Sequence, residues 1–502
     1  MDFINGTSRE QTFITSLESM IDPEAFVRVI DAFVDSVDIA SFDFANSKLR
    51  KSGRPPFHPS VFLKLYIYGY QNGIRSCRKL ENATKINLEV MWLLKGLRPH
   101  YKTIANFRKD NPTQLRNLFR QFVRLLRSWK LVDGQTIAID SFKIRGVNSL
   151  KNNFNQNKVD RHLEYIDGKI EEYLKELAEE HDKQERKKLR SKLKDQRQKK
   201  ANYKNIEQEL ANKQVEQIST NDPDAKAVLL HRNIVNVGYN VQAVSDSKYK
   251  MLVGMDTGDV NDTHALAPMV EIAQKNIGKK KMDVLADKGY HTGQQLERCE
   301  ALGVTTYVSP KASATNKSKR VYPMEDFHYS PKYDRYICPA KQQLTTTGTI
   351  YRRKSKKPQA PTVGFKHYTT KDCASCPLKT QCTSSPRGRI IRRQEDQASI
   401  TRNNRRVNRK PDYYRLRQQI IEHQFGSLKR QRGFTHTLMK GKDKVLGEVS
   451  IAFVTYNLSR AMSVLGLRGL LDRIKRSKRA IYLEYILRQF TKPHRAKLSL
   501  HL

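Results

Sequence analysis

The chain has 502 residues and a mass of 58.2 kDa, 38% hydrophobic and 29% charged, a length that suits roughly two to four modules and excludes a single small domain. Ninety-three Lys and Arg stand against 51 Asp and Glu, a formal net charge of +42. A positive field of that size works against compactness unless a polyanion answers it, so nucleic acid is the expected partner.

The six cysteines are too few for a disulfide scaffold, and Cys373, Cys376 and Cys382 crowd into ten residues, which reads as metal in a reducing compartment. No basic flank leads into an apolar stretch at the amino terminus. The most apolar segment, Val449 to Ser459, is shorter than the roughly 18 residues of a bilayer span. A soluble, cytoplasmic chain without membrane contact is expected.

In chain order, the first 45 residues carry nine acidic side chains and only Arg9 and Arg28 as basic ones, and read as a helical packing or dimer element. From Pro55 to Leu126 apolar residues recur at helical spacing, punctuated by Gly69, Gly73, Gly96 and Pro99, which predicts an all-helical unit. Ser76 and Cys77 open one helix, and Thr103, Asn106, Arg108 and Lys109 lie near the start of another. A helix-turn-helix reading DNA with residues 102–109 and an ordinary bundle with a basic solvated face both fit this pattern.

From Lys130 the texture becomes α/β. Thr136 to Asp140, Asn233 to Val244, Tyr249 to Asp256, Lys281 to Asp287 and Val304 to Val308 read as strands, and Thr292 to Leu302 as a helix. Asn153 to Gln217 is dense in charge with a sparse apolar register (Ile166, Ile170, Tyr173, Leu174, Leu177, Leu189, Leu193), predicting a helical hairpin or coiled coil. Tyr351 to Pro411 holds 17 basic and three acidic residues, a footprint for phosphate contact. A helix over Tyr413 to about Lys429, an apolar helix over Val445 to Leu467 and a basic tail over 468–502 close the chain. No internal repeat is found.

Three carboxylates carry the expected chemistry. Asp140 ends the apolar run Ile137 to Ile139, and Asp287 ends the strand Met282 to Ala286 before a glycine turn; a carboxylate at a buried strand end must be paired, hydrogen-bonded or bound to metal. Glu422 lies seven residues before Lys429, about two helical turns, so both face one way. Such a set can hold two divalent ions roughly 3.5–4 Å apart over a phosphodiester, and hard oxygen donors favour Mg²⁺ or Mn²⁺.

Asp283 and Glu448 are rivals, the first on the Asp287 strand and the second at the start of the final apolar helix, where a first-turn carboxylate favours the helix dipole. Asp222 and Asp224 read as turn or cap residues. His291 and His423 adjoin the carboxylates and could orient a phosphate or simply satisfy neighbours. Cys373, Cys376, Cys382 and Cys338 could complete a structural four-thiolate zinc site, or be free, partly buried thiols. Cys77 and Cys299 read as packing residues.

The segments AIDSFKIRG, GYNVQAVSD and VLADKGYHTG, the helix bearing Tyr414, Arg417, Glu422 and Lys429, and the upstream PPFHPSVFLKLYIYGYQNGIRSCRKLE and YKTIANFRKDN resemble a DDE transposase of a bacterial insertion sequence, over nearly the whole chain. The resemblance implies an α/β RNase H-like catalytic core, a mixed sheet with flanking helices, over 131–467. It would be interrupted at about 150–225 by a helical insertion and at about 311–411 by a basic, Cys-containing one. An all-helical DNA-binding or dimerisation domain over 1–130 would precede it.

By that resemblance Asp140, Asp287 and Glu422 form the metal-binding triad for two Mg²⁺ or Mn²⁺ ions, and Tyr414, Arg417 and Lys429 are the DNA- or phosphate-binding signature. One departure stands out: four residues separate Arg417 from Glu422, where the commonest signature has three. The implied activity is cleavage at inverted terminal repeats of double-stranded DNA and strand transfer into target DNA, by a homodimer or higher assembly at the bacterial nucleoid. A two-metal nuclease without strand transfer, and a non-catalytic DNA-binding descendant, are the alternatives.

Overall fold

The computed structural model describes residues 10, 14–45, 55–231, 234–310, 322–352 and 364–490, with side chains at 231, 325 and 479–490 set aside. Part of the expected basic tail, 491–502, and part of the basic segment, 353–363, lie outside the described residues.

The fold is mixed α/β around a six-stranded mixed sheet. Its strands are β1 (Thr136–Arg145), β2 (Lys226–His231), β3 (Ile234–Asp246), β4 (Leu252–Gly258), β5 (Asp283–Ala286) and β6 (Thr305–Val308). The order is β2-β3-β1-β5-β6, and β4 also pairs with β3. β1 runs antiparallel to β3 and parallel to β5, which is parallel to β6. Ile137, Ala138, Ile139, Val284, Leu285 and Ala286 are buried. That near-continuous apolar character is expected of strands covered on both faces.

The predicted strands are all present. The turn expected near Asp246 is made by the Asp246 side chain, which accepts from the backbone N–H groups of Gly134 (2.8 Å) and Lys248 (3.0 Å). The helix Leu266–Ile277 and the strand β2 were not foreseen.

The charged segment forms the expected helical hairpin, Gln156–Glu179 and Lys183–Lys213. A two-stranded ribbon of Asn153–Phe154 with Ile218–Ser219 closes its base. Phe154, Val159, Leu210 and Ile218 form a small core there, while Leu174 and Tyr165 stay exposed. The Asp222–Asp224 turn has a long-range role. Tyr239 Oη donates to both Asp222 oxygens at 2.8 Å, Gly441 N–H donates to Asp222 at 3.1 Å, and Lys442 N–H donates to Asp224 at 2.7 Å. These two carboxylates thus cap the start of the final helix from more than two hundred residues away.

That helix, Lys442–Phe490, breaks its helical backbone at Gly466 (φ 69°, ψ 167°), one residue short of the expected end at Leu467. Its first half is the hub of the molecule. It packs against the amino-terminal helices Phe26–Ser36, Pro59–Gln71 and Pro112–Ser128 and against β4. Glu448 lies in its second turn and is fully buried. It accepts from Arg75 Nη2 at 2.8 Å, Tyr70 Oη at 3.1 Å and Leu438 N–H at 2.9 Å, and Arg108 stands 3.8 Å away. Burial alone would raise the Glu448 carboxyl, but Arg108 and Arg75 outweigh it and hold it below the ordinary range. Glu448 is therefore an ion-pair centre and not the dipole-facing residue expected.

Arg108 is turned inward by the same contact. On its helix, Tyr101–Asp110, the exposed side chains are Lys102, Thr103, Asn106, Lys109 and Asp110. Glu448→Ala should lower stability by about 3–5 kcal/mol, the cost of leaving buried charges unpaired. A large drop in the thermal unfolding midpoint checks this; a midpoint within a degree of wild type contradicts it.

Candidate active site

Register places the first two carboxylates. Ile139 pairs with Ala286 in the parallel β1–β5 ladder, so Asp140 and Asp287 come next side by side; Asp287 follows the end of β5, but Asp140 is not the strand end expected, because β1 runs on through it to Arg145. Paired residues of neighbouring strands share a face, and their mutual repulsion contributes to raising Asp140. On its antiparallel side Asp140 faces Ala243, a small neighbour. Asp287 spends one oxygen on the N–H of Lys288 at 2.6 Å, opening the short turn Lys288–Tyr290.

The third carboxylate arrives on the helix Pro411–Gly426, whose Ile420 and Ile421 are buried against the core. Arg417 reaches from this helix to both partners. Its Nη1 donates to Asp140 Oδ2 at 2.8 Å and its Nη2 to Glu422 Oε1 at 3.4 Å. Glu422 is exposed, with 53% side-chain accessibility against 20% for Asp140. Burial disfavours the Arg417 charge, but Asp140 and its neighbours overcome this and raise its pKa. Burial pushes the Asp140 carboxyl up to about 6 against the pull of Arg417 and of the Ser141 N–H, with Asp287 and Asp262 adding to the rise.

Lys429 sits on the continuation of that helix, Ser427–Gln431, with its ammonium 5.8 Å from the centre of the Phe142 ring on β1. Burial, then Lys143, lowers its pKa, and among the described residues no carboxylate pairs with it. Tyr414 is half-buried and influences Arg417. Its neighbour Tyr413 is anchored at the far end of the strands, sharing a 2.7 Å hydrogen bond with Thr136 and donating to Asp283 at 2.8 Å. Asp283 therefore holds the helix and lies away from the Asp140–Asp287 end.

Sequence reasoning missed Asp262. It accepts from Asn240 at 2.9 Å and Gln242 at 2.6 Å, and Gly289 leaves room beside its carboxylate, where a Cβ would stand 3.4 Å from Oδ2. Gln242 in turn accepts from the fully buried Tyr290 hydroxyl. No sequence signal marked Asp262, which lies in a loop outside any periodic element. His291 bonds Asn404 at 2.9 Å, and His423 is exposed. Among the described residues, no three His, Cys, Asp or Glu side chains stand arranged to hold a metal ion as placed.

Comparison with known families adds to this geometry. Residues 15–110 match a transposase domain, DUF772, and residues 337–462 match a transposase DDE domain. The chain thus carries two regions that match transposase domains, the second of them a DDE domain. The first match contains Tyr70, Arg75 and Arg108, and the second contains Arg417, Glu422, Lys429 and Glu448; Asp140 and Asp287 fall in neither. No curated protein matches the chain. Its domains imply DNA as the partner and nuclease or transposition chemistry as the activity. Among the described residues no helix is long and apolar enough to cross a membrane.

The raised Asp140 pKa fixes a sign. A carboxyl lifted from 3.8 to about 6 on folding stabilises the fold while protonated, fully below the unfolded value, and that stability is lost as pH rises through about 6. Asp140→Asn should therefore gain stability over wild type between pH 4 and pH 7, by of order 1–3 kcal/mol. Melting curves of both proteins across that range test it, and a pH-independent difference contradicts it.

Proposed function

We propose that the transposase cleaves double-stranded DNA at inverted terminal repeats and joins the freed ends to target DNA, with Asp140, Asp287 and Glu422 as its catalytic carboxylates in an RNase H-like core. The reading rests above all on one observation: two carboxylates follow the last paired residues of the parallel β1–β5 ladder, and Arg417 bonds both the first of them, Asp140, and the third carboxylate, Glu422.

The donor set suits Mg²⁺ or Mn²⁺, being all hard oxygen with Asp140 half-buried and short of cationic compensation. Arg417 and the spread of the three side chains mean that they must close to hold two ions. Ions of this kind activate an attacking oxygen and stabilise the leaving one. The protein's own part is positional. Register fixes Asp140 beside Asp287, and the Asp283–Tyr413 bond fixes the helix that carries Glu422. Arg417 bonds Asp140 and Glu422 before substrate arrives, and could then donate to a phosphate oxygen. Lys429, with no carboxylate partner among the described residues, supplies a second phosphate contact, and Tyr414 a stacking or hydrogen-bonding surface.

The basic helix Gln397–Arg409, with exposed Arg402 and Arg405, extends the positive surface beyond the site. In this reading the helical part over 1–130 contributes end recognition through Lys102, Thr103, Asn106 and Lys109. The insertions at about 150–225 and 311–411 add DNA contact, and the active assembly is a dimer or larger.

The test uses a DNA fragment carrying the gene with its natural flanks. Wild type with Mg²⁺ should give breaks at the repeats and joined products, whereas Asp287→Asn should bind the same DNA with similar salt dependence and yield neither. Cleavage retained in Asp287→Asn removes that residue from the site. Breaks without joining support the nuclease alternative.

A further inference from the structure

The basic segment upstream of the Glu422 helix has little to hold it together. It contains two small three-stranded sheets, one from His328–Ser330, Arg335–Ile337 and Gln343–Leu344, the other from Tyr351–Arg352, Gly364–Tyr368 and Ile391–Gln394. Among the described residues its buried apolar cluster is Phe327, Tyr336, Leu344, Tyr368 and Ile391, with Tyr322, Met324, Tyr329, Cys338 and Cys382 packed against it. A core this small is of the kind that disulfides or a metal ordinarily reinforce.

Four thiols meet beside that cluster. Cys338 sits at the hairpin turn of the first sheet, where its N–H donates to Gln342 O at 3.0 Å and its carbonyl accepts from Lys341 N–H at 2.8 Å. Cys373 and Cys376 lie in the connection between the last two strands of the second sheet, and Cys382 ends the short helix Lys379–Cys382. All four are half-buried and none is in a disulfide. They line one small cavity of about 20 Å³, room for a single ion or water. Gly388 packs directly on Cys373, where a Cβ would come within 2.6 Å of the Cys373 Cβ, and its φ of +87° suits glycine.

We propose that Cys338, Cys373, Cys376 and Cys382 bind one structural zinc ion that ties the hairpin of the first sheet to the long connection of the second. Two features support it. Two thiols come from a C-x-x-C pair, a spacing suited to one tetrahedral ion, and the other two come from separate elements, so closure would cross-link the unit. The four-thiolate site would carry a net charge of −2, and Lys379 and Arg389 line the same cavity, Arg389 also donating to Cys382 O at 3.2 Å. Phe327, Leu344 and Leu378 give the wall apolar side chains beside Gln342, Thr370, Asp372 and Thr383. As placed the sulfurs do not close on a common centre; the ion would draw each to about 2.3 Å from itself. The proposal is independent of the catalytic reading, since none of its ligands belongs to the carboxylate site.

The experiment is metal analysis of the full-length protein purified with zinc and a reductant, together with cobalt exchange. About one zinc per chain is expected. It should survive Cys299→Ser and Asp287→Asn, fall to below about a tenth in the Cys373→Ser/Cys376→Ser double variant, and be retained at lower affinity in Cys382→His. Cobalt-exchanged wild type should show the thiolate charge-transfer and tetrahedral ligand-field bands, which report four sulfurs without relying on a variant that could misfold. Wild type free of zinc with all four thiols titrating, a disulfide among them, or zinc that persists in the double variant would overturn the proposal.

Discussion

Glu448 is the point on which the architecture turns. A fully buried carboxylate is tolerable only if cations and donors surround it, and here they come from separate parts of the chain: Tyr70 and Arg108 from amino-terminal helices, Arg75 from a connection between two of them, and Leu438 N–H from the loop before the final helix. Arg75 also donates to Gly433 O and His436 O and lies over the Phe434 ring at 4.4 Å. That loop in turn pairs with the end of β1, through Arg145 N–H to Thr435 O at 3.3 Å and Thr437 N–H to Arg145 O at 2.8 Å. The ion pair therefore joins both family-matched regions to the strand that carries Asp140.

The proposed active site rests on the opposite balance. Asp140 is half-buried with less compensation, and Arg417 is the one cation bonded to it among the described residues. Burial, with Asp287 and Asp262 adding to it, raises the Asp140 pKa, the direction in which further positive charge would be stabilising. Glu448 has the cations it needs, and its pKa is lowered instead. The contrast separates a carboxylate built into the structure from one left available for chemistry.

Much of this was legible in the sequence. The apolar runs before Asp140 and Asp287 marked two strands, but β1 runs on past Asp140 to Arg145, and the parallel register that sets the two carboxylates side by side was not readable from either run. The helix of Glu422 and Lys429 was readable from spacing. What could not be read were contacts between distant residues whose local signals are ordinary. Arg108 looked like a surface base on a recognition helix, and only packing turns it toward Glu448. Asp262 sits in a loop without periodicity, and Asp222 and Asp224 read correctly as turn residues but gave no hint that they cap a helix beginning at Lys442. The choice of Tyr414 over Tyr413 came from resemblance; the structure gives Tyr413 the anchoring bonds, a distinction invisible in two adjacent tyrosines.

The most direct test of the central claim, that Asp140, Asp287 and Glu422 form one cation site, is Mn²⁺ binding to the DNA-free protein followed by electron paramagnetic resonance. Wild type should bind Mn²⁺ more tightly at pH 7.5 than at pH 5, because Asp140 ionises near pH 6, and binding should weaken at least tenfold, about 1.4 kcal/mol, in both Asp140→Asn and Glu422→Gln. Equal Mn²⁺ binding by wild type and both variants would contradict the account.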